Sequence, residues 1–306
     1  MNVREWSLIL FTILGQMSVG AFLFLVVVYF YANRKAGAEE ANRFGDRALY
    51  AILPVMVLAF LASFLHLGKI ANAPKAVTNL ATSWLSREIL FGVLFAVVAF
   101  LFAFLQWRKI GSFAVRSIVA VITGLVGIAL VYSMSAIYMM ETQPAWNTFA
   151  TPAQFATTTL LLGMLALGAA FVANYAYVAK KVPEHVETQS KLLLSVMRWV
   201  ATGSVVLLGV EFIIIPIYLS LLASMGGEAA QTASLMISNF GVVFGFRLFL
   251  VFLGAGILCV FIFKNALGPG KEKALSYFAY SAFVLVLAAE ILGRFLFYAT
   301  HVQIGI

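Results

Sequence analysis

Phe64-Leu65-His66-Leu67-Gly68 closes one long apolar run, and Trp84-Leu85-Ser86-Arg87-Glu88-Ile89 opens the next, with a polar loop between them. About 20 apolar residues are enough to carry a helix across the hydrocarbon core of a bilayer. The stretch therefore reads as two membrane helices meeting water on the same side, with an imidazole at one end of the joining loop and a carboxylate at the other. What those two groups are for depends on the rest of the sequence.

Outward from this stretch the same pattern repeats. Apolar runs cover roughly 6–32, 48–67, 88–107, 113–140, 153–179, 192–223, 240–264 and 274–300. The expected fold is an all-α integral membrane protein of eight transmembrane helices, forming one domain over residues 1–306. Composition agrees: 63% of the 306 residues are hydrophobic and only 10% are charged, the signature of a polytopic membrane protein rather than of soluble domains. The connections are too short to hold a soluble domain. The net charge of +8 is scattered over short loops, which points to topology signals and excludes a nucleic-acid surface. The run from Trp6 to Ala32 is too long for the core of a cleaved signal and reads as a first membrane helix. The single cysteine, Cys259, can supply neither an iron–sulfur cluster nor a zinc site.

Lysine and arginine counts give an orientation. Fourteen of the 20 fall in or beside the loops after the first, third, fifth and seventh runs, among them Arg34, Lys35, Lys109, Lys180, Lys264 and Lys271. Six lie on the other side: Arg4, Lys69, Lys75, Arg87, Arg247 and Arg294. By the positive-inside rule the rich side is cytoplasmic. Both termini, His66 and Glu88 are then expected on the outer, periplasmic side of a bacterial or archaeal cytoplasmic membrane.

Ionisable groups inside membrane helices are costly and mark sites. Glu211 lies in an otherwise apolar span. Glu290 and Arg294 are four apart on the last span, hence on one face, where an internal ion pair is the plainest expectation. Arg247 is a further cation, able to pair with Glu211 or Glu290, and His301 follows Arg294 by two turns. His66 can act as a proton acceptor or a hydrogen-bond partner for a ligand, or simply bond a loop carbonyl at the interface. Glu88 can relay protons to water, or simply complement the positive end of a helix whose cap is Ser86 or a neighbour. All these groups belong to the outer half. A polar cluster at one depth suits a lipid-soluble ligand with polar ends. It does not suit a pump or channel, which needs ionisable groups through the full thickness. The uncharged outer loop 138–152, with Trp146, Pro144 and Pro152, fits either a docking surface or an ordinary interfacial loop.

Taken in order, Glu5-Trp6, Gly15-Gln16, Leu65-His66-Leu67-Gly68, Leu85-Ser86 with Glu88-Ile89, Pro144-x-Trp146, Thr151-Pro152, Gly209-x-Glu211, Arg247, and Glu290-Ile291-Leu292-Gly293-Arg294 with Tyr298 and His301 form a pattern along nearly the whole sequence. It resembles the membrane anchor subunit (DmsC family) of dimethyl sulfoxide reductase-type molybdoenzymes. Lys69-Ile70 and Ala145 depart from the family pattern. The resemblance implies a subunit that oxidises quinol, typically menaquinol. Electrons then pass to an iron–sulfur subunit and on to a molybdopterin subunit, with no haem or iron–sulfur cluster in this subunit. It places His66 and Glu88 in the quinol site; the outer-half clustering of charges adds Glu211, Arg247, Glu290, Arg294 and His301 as further candidates, and no metal ligands are expected. The anchor of a related polysulfide- or nitrite-reductase-type complex shares this chemistry. Two other readings are a b-type cytochrome anchor, with His66 and His301 as axial ligands, and a non-redox transporter. A transporter calls for broken helices in matching halves, which Pro54 and Pro216 do not obviously supply.

Overall fold

The computed structural model describes residues 3–66, 77–263 and 272–304. Among these residues there is no strand. The elements are α1 (Val3–His66), α2 (Trp84–Arg108), α3 (Phe113–Ala136), α4 (Ala150–Lys181), α5 (Val186–Met225), α6 (Gly227–Ser238), α7 (Gly241–Phe263) and α8 (Glu272–Ala299), with short 3-10 turns at Val77–Asn79 and Pro183–His185. Seven of these helices, all but α6, are long and apolar enough to cross a membrane.

α1 is not one straight rod. The Tyr29 hydroxyl donates to Asp46 Oδ1 at 2.8 Å, whereas a continuous helix would hold residues 17 apart at about 25 Å along the axis. The backbone reverses at Gly37, whose φ of 85° and ψ of 168° belong to a region essentially reserved for glycine. The arms 3–36 and 38–66 therefore run antiparallel. Residues 33–47, expected as a loop between two spans, are helical apart from Gly37. Ala36, Ala38, Glu39, Glu40 and Ala41 are good helix formers, and Arg43 pairs back to Glu39 at 3.2 Å.

α4 is the most enclosed of the membrane-length helices and crosses the first arm of α1 at two glycines. A Cβ on Gly20 would lie 1.8 Å from the Thr159 carbonyl oxygen, and one on Gly163 2.1 Å from the backbone of Gly20. Backbones approach this closely in membrane bundles only where side chains are absent or small. The crossing fixes what lies one turn further along: Gln16 of α1 faces Phe155 and Thr159 of α4.

At one end of the bundle, polar contacts gather helix ends around the turn of α1. Lys109 after α2 meets Asp46 at 2.5 Å, Arg47 donates to Asn174 of α4 at 2.9 Å, and His185 and Gln189 bond the Glu40 carboxyl at 2.5 and 2.7 Å. Three of the four basic-rich loops thus share one end. Lys264 and Lys271 of the fourth lie outside the described residues.

The opposite end differs from expectation in two places. The glycines after α5, read as part of a loop, are Gly226 at φ 72° and Gly227 at φ 53°. They turn the backbone into α6, whose Ala229, Ala233 and Met236 pack on Ile214, Tyr218, Leu222 and Leu296. α3 stops at Ala136 rather than near residue 140, and the following turns carry Tyr138 inward.

Candidate functional site

Glu88 is the fifth residue of α2, not its first. The N-cap is Ser83, whose hydroxyl accepts from the Ser86 amide at 3.3 Å. Glu88 therefore lies beyond the first turn, where a carboxylate neither caps the helix nor gains much from its dipole. It is buried, with 8% of its surface exposed, and its carboxyl makes no hydrogen bond or ion pair with another described residue. Its carboxyl is in electrostatic contact with the hydroxyls of Tyr138 and Tyr298, which bond each other at 2.5 Å. His66 is the last residue of α1. Its side chain and the run Leu67-Gly68 that follows lie outside the described residues.

The connection from α3 to α4 closes this end of the bundle. Trp146 is buried, stacked on Phe297 with centroids 5.0 Å apart, and its indole N–H donates to the Phe297 carbonyl at 3.0 Å. The Tyr218 hydroxyl donates to the Ala145 carbonyl at 2.9 Å, and the Ile304 amide to that of Thr142 at 3.1 Å. Trp146 is therefore neither a headgroup anchor nor a free docking residue: it packs inside the fold.

Behind the tyrosines lie four buried charges on α5, α7 and α8. Arg247 pairs with Glu211, Nη2 to Oε1 at 2.7 Å, one of the two pairings open to it in the sequence. Its guanidinium lies flat against Gly293, where a Cβ would come within 2.6 Å of it. The expected pair between Glu290 and Arg294 does not form, although helical spacing puts both on one face. Glu290 instead accepts from the Thr158 hydroxyl at 2.6 Å. Arg294 turns away, over the Phe155 ring at 3.8 Å, and donates to Gln16 Oε1 at 2.8 Å. Gln16 in turn donates to the Phe155 carbonyl at 2.8 Å, so its amide is anchored at both ends. A guanidinium over an aromatic face, bonded to a neutral amide, keeps its full charge within an apolar bundle.

His301 does not join this cluster. α8 ends at Ala299, so the two-turn spacing from Arg294 does not continue as helix. The imidazole stacks on Trp146 at 4.5 Å, with Nδ1 on the Tyr298 carbonyl at 2.6 Å. The structure thus brings together Glu211, Arg247, Glu290 and Arg294, sets Glu88 beside the tyrosine pair in front of them, and leaves His301 on the rim. Residue-by-residue reading of charges did not single out Gln16, Thr158, Tyr138 or Tyr298 as parts of the site. A glutamine in the otherwise apolar first span and the Thr157-Thr158-Thr159 run were the available signals.

Comparison with known proteins gives the family. Residues 1–300 match the family described as DMSO reductase anchor subunit (DmsC). The protein is 29% identical to the C subunit of the anaerobic dimethyl sulfoxide reductase of Escherichia coli, over 99% of its own length and 96% of that protein. It is 28% identical to the YnfH subunit of an anaerobic dimethyl sulfoxide reductase of the same organism, with 99% and 96% covered. Identity to the C subunit of the Haemophilus influenzae enzyme is 26%, with 99% and 97% covered. With the family matched over residues 1–300, this protein belongs to the DMSO reductase anchor subunits.

Proposed function

We propose that the protein is the quinol-oxidising membrane anchor of a DMSO reductase-type respiratory complex, and that the quinol, of the menaquinol type, is bound between His66 and Glu88. The observation that carries this reading is Glu88 itself: a buried carboxyl without a partner among the described residues, on a helix end that does not need it. A buried carboxyl that bonds no described residue is open to a ligand hydroxyl, which would offset the cost of burying it.

Oxidising a quinol releases two protons and two electrons. Each hydroxyl proton needs an acceptor, because charge left in a low-dielectric pocket is strongly unfavourable. His66 takes one proton from the ring, and Glu88 relays protons to the water at the end of α2. Arg294 and Arg247 supply positive charge behind the tyrosine pair, which favours a ring that is losing protons. The electrons leave to an iron–sulfur subunit docked on the same side, and from it to a molybdopterin subunit.

The two arms of α1 count as separate spans in this reading. That makes eight crossings, with the basic-rich end in the cytoplasm and both termini in the periplasm of the inner membrane. Protons and electrons then exit on the same side, and the step moves no net charge across the bilayer.

The test is turnover of the purified complex with a menaquinol analogue, set against an artificial donor that feeds the iron–sulfur subunit directly. The wild-type complex oxidises the quinol, while Glu88→Gln and His66→Ala lose that activity and keep the bypass activity. Quinol-driven rates equal to wild type in both variants would remove these residues from the mechanism. Iron–sulfur and molybdopterin subunits should co-purify with the protein from its native membrane.

A further inference from the structure

Glu211 and Glu290 each use one carboxylate oxygen and leave the other unanswered. Glu211 Oε1 accepts from Arg247, and Glu290 Oε2 accepts from Thr158. Among the described residues, Glu211 Oε2 and Glu290 Oε1 are buried and have no donor. Arg247, which is bonded to Glu211, lies against Gly293, three residues along α8 from Glu290, so the two carboxyls share one small space between α5, α7 and α8. Both residues are at most 3% exposed. Two ionised carboxylates are acceptors only. Two like charges sharing a small space in a low-dielectric interior repel strongly, and one proton held between them would answer both oxygens.

We propose that Glu211 and Glu290 form a buried proton-binding site that holds a single proton between Glu211 Oε2 and Glu290 Oε1. Two carboxylates that bind one proton go from charge −2 to −1, while Arg247 and Arg294 contribute +2, so the cluster carries +1 when the proton is bound and 0 when it is lost. Among the described residues, Arg247 from α7 and Thr158 from α4 bond the pair, and Arg294 of α8, turned toward Gln16, acts on Glu290 only through its charge; none of the three is an acid. Arg294 is also in electrostatic contact with Tyr138 and Tyr298, and these with Glu88. The bound proton therefore adds positive charge behind the tyrosine pair, on the far side from Glu88.

This inference does not require that quinol be the ligand, and its test uses no turnover. The infrared carbonyl stretch of a protonated carboxylic acid is measured on the purified complex, in a Glu88→Gln background so that Glu88 itself cannot contribute. Introducing Glu211→Gln or Glu290→Gln should each remove one such band, because the amide N–H then supplies the hydrogen that the proton supplied. Loss of the band in only one variant would assign the proton to that residue alone, and loss in neither would show both acids ionised. Either result overturns the proposal. Thermal stability gives a second readout. Each single amide variant should stay close to its parent, while the double variant, which leaves Arg247 without a carboxylate, should unfold at clearly lower temperature than either. A double variant no less stable than the singles would also overturn it.

Discussion

Arg294 reaches past Glu290, one turn away on its own helix, and donates to Gln16 of α1 at 2.8 Å. The bond joins the last helix to the first across the α1–α4 crossing, and it leaves a full positive charge held by a neutral amide and the Phe155 ring. Gln16→Leu should therefore be severe, since it strands a buried guanidinium. Removing one partner of a buried charged pair costs roughly 3–5 kcal/mol, and the neutral partner here puts the expected loss at the lower end. Gln16→Glu keeps the acceptor for Arg294 and adds a compensating charge, although it gives up the donor to the Phe155 carbonyl, so it should be the milder of the two. Thermal unfolding of the detergent-purified complex distinguishes the two, and equal losses would mean that Gln16 acts through packing alone.

Gly293 owes its identity to Arg247. A methyl group there would sit 2.6 Å from Nε and 2.7 Å from Cζ of the guanidinium, pushing it off Glu211. Gly293→Ala should cost on the order of 1–3 kcal/mol, the usual penalty for overpacking. The spacing between α7 and α8 is set at this point, so Gly293→Ala combined with Arg247→Ala should be less damaging than the sum of the two. A double-mutant cycle on thermal stability measures that coupling.

The apolar runs made the all-helical membrane character and the approximate place of each long helix legible, because a bilayer demands such lengths; their number did not carry over directly, since the first two expected runs lie in one element folded back at Gly37. The pairing of Arg247 with Glu211 was also within reach, since few charges lie in the spans and each needs a partner. Two things were not visible. The partners of Arg294 and Glu290 are uncharged, and Gln16 or Thr158 stands out little in an apolar helix until the Gly20–Gly163 crossing brings α1 against α4. Helical spacing alone favoured Glu290 with Arg294 on one face, but side chains on one face can still turn to different neighbours. The position of Glu88 depended on one residue, since capping by Ser83 rather than Ser86 moves the carboxyl from the first turn into the second.

Gly37 provides a check on the reversal within α1. Its positive φ with extended ψ is strained for any residue with a side chain, and nothing lies within 4 Å of the position a Cβ would take. Gly37→Ala should therefore cost about 1–3 kcal/mol through backbone strain alone, with no steric contribution. Gly37→Asn should recover little, because asparagine tolerates the left-handed helical region and not this one. Stability of both variants at the level of wild type would mean that the two arms are joined in some other way.

Glu88 offers the sharpest functional prediction, because its environment separates structure from chemistry. The side chain bonds no described residue, and the α2 cap is made by Ser83, so Glu88→Gln removes no observed contact and should leave assembly and thermal stability close to wild type. As a proton relay it should matter a great deal. Loss of a positioned acid–base group lowers rates by about 10²- to 10⁴-fold, and the loss should appear in quinol-driven turnover while the bypass donor works normally. Glu88→Asp keeps the carboxyl but withdraws it by one methylene, and should fall between the two. Ser83→Ala is the converse control. It removes the cap, costs about 1 kcal/mol of stability, and should change quinol turnover little. If Ser83→Ala lowered the rate as much as Glu88→Gln, the carboxyl would be acting through the position of α2 and not through its proton.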